Sequence, residues 1–301
     1  MRKHRSKYSY CTVKANFVRT YTLKLSAGTG GTTNFTSKTV DAGAKVDISA
    51  SISQYGYRFD KWTSSSTSCT VANPTSSDTK VTVNGACTVT ASFVERNTFA
   101  IAANIPEAGS TSPYGYLTVD KGSSKSITAT PSSGYRFDKW TSSSTSCVIA
   151  DMASASTSLK VSDNCNITAN FVKTQQLTVS TSTGGSVSSA GTKTVDYGSD
   201  NTITATPDSS YRFDKWTSSS ESCVIANTAS ASTTVSVSAD CNITANFVKL
   251  QYIEVYAGTG GVTSPSTNMP VDSGASLQVT ATPDSGYSIP LYDSMSPFIC
   301  R

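Results

Sequence analysis

The chain has 301 residues, enough for one large domain or several small ones. Its formal net charge of +4 comes from its start, since residues 1–19 hold six Lys or Arg and no acid, and beyond them acids and bases nearly balance. A near-neutral body offers no electrostatic footprint for nucleic acid or an anionic membrane. No run approaches the ~20 apolar residues that span a bilayer.

The opening "MRKHRSKYSYCTVKANF" has the basic start of a secretory signal but lacks its apolar stretch of ~7–15 residues. It reads as a solvated basic tail running into "CTVKANFV", the last strand of an earlier repeat, so residues 1–20 are expected to be the truncated end of a preceding module. From there the chain repeats itself. Trp62, Trp140 and Trp216 fall in register, as do the stretches "YRFDKWTSSSTSC" (twice) and "YRFDKWTSSSESC" and the endings "CTVTASFV" and "CNITANFV". Repeats are placed at 21–96, 97–174 and 175–249, with an incomplete fourth at 250–301 whose text departs from the pattern after Tyr287. Units of this size are small domains in tandem rather than turns of a solenoid. The expectation is a monomeric fragment of a longer chain.

Within a repeat the period is two. "QLTVSTSTGGSVSS" alternates, turns at Gly184 and Gly185 and resumes, which reads as a hairpin. "NTITATP" puts Ile203 and Ala205 on one face, and Pro207 ends the strand. No segment has sustained helical period, so each repeat is expected to be all-β, with five to seven short, mainly antiparallel strands around one core. In "YRFDKW" the alternation breaks between Phe213 and Trp216, and a bulge there would return Trp216 to the side of Phe213.

Six cysteines keep the repeat register as the pairs Cys69 and Cys87, Cys147 and Cys165, and Cys223 and Cys241, eighteen residues apart in each. A structural zinc site needs four ligands, and the one histidine is His4 in the tail, so no metal is expected. Disulfides are the better reading than paired reduced thiols. Each would contribute about 3 kcal/mol in the chain-entropy model, a large share for a domain this small, and would imply an extracellular setting. Cys11 and Cys300 are left without partners.

Nothing else in the repeats carries catalytic chemistry. They contain no histidine for a nucleophile's base, and Asp60, Asp138 and Asp214 recur as isolated acids rather than facing pairs. "GTGG" lacks the lysine and helix of a phosphate loop. The sequons at Asn34, Asn166 and Asn242 are accidents of strand composition. Neither enzyme activity nor a cofactor is expected. Two readings remain for the recurring aromatic block. Exposed, Tyr57, Arg58 and Trp62, Tyr135, Arg136 and Trp140, and Tyr211, Arg212 and Trp216 would make platforms for glycan. Buried, they recur because each repeat needs the same core, the usual place of a lone Trp in a small domain.

The "GTGG" turn, the "V-D-x-G" step at Val40 to Gly43 and Val195 to Gly198, the "TATP" strand, "GYRFDKW" (Gly134 to Trp140) and the closing "ANF" strand together resemble the divergent InlB B-repeat family, over nearly the whole chain from about residue 11 to 287. The resemblance implies tandem compact β-modules, β-grasp-like or sandwich-like, serving as stalks, spacers or adhesive segments of bacterial surface or secreted proteins. It brings no catalytic residue. It also implies a cell-surface or extracellular location, with a host or cell-wall glycan or a surface protein as partner. The paired cysteines are not a general feature of that family.

Overall fold

A computed structural model of the chain describes residues 11–267 and 269–289. The first ten residues of the basic tail, with His4, and the divergent end from residue 290, with Cys300, lie outside the described residues. The chain gathers into two compact units. One comprises residues up to Asn104 together with Ser110–Thr130 and Lys139–Asn170, and the other Ile105–Gly109, Pro131–Asp138 and the chain from Phe171 on.

In the first unit, repeat 1 shows how the pattern folds. Its strands are β1 (Thr20–Ala27), β2 (Gly31–Thr33), β3 (Ser37–Asp41), β4 (Ala44–Ile52), β5 (Tyr57–Ser64), β6 (Cys69–Val71), β7 (Asp78–Val83) and β8 (Cys87–Ala103). They form two facing sheets, β3-β1-β8-β5 and β2-β4-β7-β6, in a small sandwich. Alternating residues of both sheets fill the core: Leu23 and Leu25, Val46 and Ile48, Val81 and Val83, Val89 and Ala91. Pairing is antiparallel except between β1 and β8, which run parallel with Leu23 opposite Cys87. The sandwich alternative is therefore the one adopted. A β-grasp needs a helix across its sheet, and the helical element among the described residues is a single 3-10 turn at Pro106–Ala108.

The hairpin expected at the glycine turn is corrected. β1 and β2 do not pair; β2 pairs with β4 in the opposite sheet, and the turn carries the chain from one sheet to the other. Alternation tells which face of a strand is buried but not which strand lies beside it. The segment "CTVKANFV" is not a strand here. No described strand pairs with it, and Val13 and Phe17 stand exposed.

The modules follow in tandem, and the residues at the boundary placed between 96 and 97 are part of a strand. β8 runs seventeen residues without a break. Its first half closes repeat 1 beside β1 and β5, and its second half opens repeat 2, pairing with Gly115–Asp120 and, in parallel, with the strand that starts at Cys165.

In the second unit, repeat 3 builds the same core from Leu177, Val179, Ile203, Trp216, Val235, Val237 and Ile243. Its last strand, Cys241–Ile253, pairs with Tyr211–Ser218 and then, in the fourth repeat, with Met269–Asp272. Repeat 4 is looser, for the strand Thr280–Pro283 is exposed along its length.

Candidate functional site

The recurring "YRFDKW" block starts as an edge strand. In repeats 1 and 3 its register against the closing strand slips between Phe59 and Lys61 and between Phe213 and Lys215, so Asp60 and Asp214 occupy a bulge. The bulge does what the broken alternation suggested: it puts Phe59 and Trp62, and Phe213 and Trp216, on one side with ring centroids 5.8 Å apart. The phenylalanine of the closing strand, Phe93 or Phe247, meets the first ring edge-on at 5.9 Å.

The tryptophans lie inside. Trp62, Trp140 and Trp216 are 2%, 0% and 1% exposed. Each indole Nε1 donates to a backbone carbonyl fourteen residues on, that of Ser76, Ser154 or Ser230, at 3.0–3.1 Å. A buried indole N–H needs such an acceptor. No tryptophan face is left for a sugar to stack on.

The tyrosine explains the glycine turn. Tyr57, Tyr135 and Tyr211 are half-buried. Gly30 and Gly184, at φ +98° and +107°, lie against the rings of Tyr57 and Tyr211, and the next glycines, Gly31 and Gly185, lie against Phe93 and Phe247. A side chain at any of these glycines would collide with a ring, so "GG" and "Y…F" are two halves of one contact.

The arginine reaches into the following repeat. Arg58 donates from Nε and Nη2 to the two carboxylate oxygens of Asp120 at 2.8 and 2.6 Å. Arg136 grips Asp196 the same way at 2.7 and 2.6 Å, and Arg212 grips Asp272, with Nε to Oδ1 at 2.7 Å. The remaining Nη1 donates to the carbonyl of the next residue and to the acid two positions on, Asp60, Asp138 or Asp214. The planar fork therefore bridges its own bulge and the "V-D-x-G" step of the next repeat, which lysine's point charge does not match. The hydrogen bonds to arginine hold the carboxyls of Asp120, Asp196 and Asp272 below the usual aspartate range and raise the guanidinium pKa values. Of these three aspartates, sixty or so residues downstream of their arginines, only Asp196 lies in a "V-D-x-G" step singled out in the sequence, and Asp120 and Asp272 were given no role there.

The cysteines are joined as Cys69–Cys87, Cys147–Cys165 and Cys223–Cys241, with Cα atoms 6.3, 6.4 and 6.1 Å apart. In repeat 1 the bridge ties β6 to β8 and so links the two sheets. Cys11 is an exposed free thiol. The asparagine of "ANF" also has a purpose: Asn170 and Asn246 donate to the carbonyls of Lys139 and Lys215 at 3.0 and 3.1 Å, pinning the chain just after the bulge.

Among the described residues no cluster of His, Cys, Asp or Glu fits a metal ion. The recurring block is thus a joint: an aromatic core anchor, a bulge, and an arginine clamp on the next repeat. Against known families, the model of the divergent InlB B-repeat domain matches residues 21–97, 100–175, 175–251 and 252–293. A search of curated proteins finds no match.

Proposed function

The chain belongs to the divergent InlB B-repeat domain family, and from that premise we propose that it is a non-enzymatic segment of an exported bacterial protein, a stalk or spacer that holds its repeats in fixed register. The observation that carries this reading is the joint between repeats. A spacer must resist bending where modules meet, and flexible polar linkers do not. Here β8 continues from one repeat into the next, and Arg58 clamps Asp120 across the same boundary. The clamp recurs with Arg136 and Asp196 and with Arg212 and Asp272. A device repeated at each boundary serves the array rather than a single ligand.

Three disulfides in small domains support a location outside the cytosol. The reading is tested by thiol alkylation in the source bacterium before lysis, followed by mass spectrometry of the repeats. An exported spacer leaves Cys69, Cys147 and Cys223 and their partners unmodified until reductant is added. Alkylation of all six without reductant contradicts it.

A further inference from the structure

The joint between repeats 1 and 2 carries side chains that the fold does not require. At its middle, Asn97 points to the core side of β8, is 5% exposed, and its amide Nδ2 has no hydrogen-bond partner. A buried amide donor without an acceptor is costly and calls for an explanation. Asn97 lines a cleft of about 540 Å³ with Tyr55, Tyr57, Glu95, Arg96 and Asp163, within the ~300–1,000 Å³ typical of small-molecule sites. Tyr55 stands at its rim fully exposed. Arg96 Nε has no hydrogen-bond partner either, the nearest carboxylate oxygen being Asp120 Oδ1 at 3.8 Å.

The other repeats dispense with these groups. Ser133 and Ser209 stand where repeat 1 has Tyr55, Thr174 and Leu250 where β8 has Arg96, and Gln175 and Gln251 where it has Asn97. A second, shallower cleft adjoins the first, sharing Thr98 and Asn164 and ending at Tyr116, which is 85% exposed. At the position of Tyr116, repeats 1 and 3 have Ser37 and Thr192.

We propose that these two clefts form one binding track for a neutral oligosaccharide, with Tyr55 and Tyr116 stacking on sugar rings and Asn97 donating to a hydroxyl lodged at the base of the larger cleft. The chemistry selects this ligand. Sugars present a C–H face to an aromatic ring and hydroxyls that both donate and accept. The cleft offers an unpaired amide donor, with the carboxylates of Glu95 and Asp163 and the guanidinium of Arg96 also in its lining, a mixture of acceptors and donors that suits hydroxyls and sets two carboxylates against one cation, a poor surface for an anionic polymer. The proposal goes beyond a spacer role, since it assigns recognition to a single joint of the array.

The test is binding of the whole chain to linear hexasaccharides of glucose, xylose, mannose and N-acetylglucosamine, with heparin as an anionic control, followed by calorimetry. Two variants borrow residues that the other repeats already carry, Tyr55→Ser and Asn97→Gln. The expected result is binding of at least one neutral hexasaccharide with a Kd below about 1 mM, weakened tenfold or more by each variant while the melting temperature stays within about 2 °C. Absence of binding to every neutral hexasaccharide overturns the proposal. So does binding that both variants retain, or binding confined to heparin.

Discussion

At the scale of the residue, the recurring letters are explained by contacts that each need a particular side chain. Trp140 fills the core of repeat 2 and its indole N–H is satisfied by Ser154. Trp140→Ala should destabilise by roughly 3–5 kcal/mol, read as a lower denaturation midpoint of the full chain. A glycine pair separates steric need from backbone conformation. Gly184 has positive φ and lies against Tyr211, whereas Gly198 has positive φ with open space around it. Gly184→Ala should cost at least about 2 kcal/mol and Gly198→Ala about 1 kcal/mol, measured by equilibrium unfolding. Equal costs would mean that the ring contact contributes nothing. The bulge at Phe213 and the cysteine pairing were legible in the sequence because both rest on local spacing. The partner of Arg58 was not, since Asp120 lies 62 residues away in another repeat and nothing local marks it.

At the scale of the element, strands were legible and their neighbours were not. "TATP" and "CNITANFV" show their buried face by alternation, yet the glycine turn that reads as a hairpin joins strands of opposite sheets. The bridge Cys69–Cys87 explains why so short a strand as β6 holds its place: it is tied to the sheet across the core. Each bridge encloses eighteen residues of chain separation. Under force, a repeat with its bridge intact cannot extend that segment, and reduction should release about 60 Å more contour per repeat at ~3.3–3.6 Å per residue. Single-molecule pulling in the presence and absence of reductant measures this. Identical contour lengths in the two conditions would show that the bridges do not constrain the unfolded chain. Replacing Cys147 and Cys165 by Ser should cost about 3 kcal/mol in the same repeat.

At the scale of the whole molecule, the clamps set how acid and salt act on the array. Asp120 and Asp196 titrate below the usual aspartate value of about 3.9 because arginine holds them ionised. Their contribution is therefore fully present above about pH 4 and is lost as pH falls through the lowered folded value. With both partners of each pair more than a third exposed, solvent screening limits the Arg58–Asp120 coupling to about 1 kcal/mol in a double-mutant cycle. Melting temperature should fall on acidification below about pH 4, and Asp120→Asn should flatten part of that fall. A variant as acid-sensitive as the parent would remove the clamp from the explanation.

The central claim is that the repeated block couples one repeat to the next, and hydrogen exchange of the full chain carrying Asp120→Asn tests it most directly. The substitution sits in repeat 2, while the arginine it releases sits in repeat 1. Faster exchange at residues 57–64 in repeat 1, together with residues 115–121 in repeat 2, is the predicted result. Exchange altered in repeat 2 alone would contradict the coupling and leave the two modules as independent neighbours on one chain.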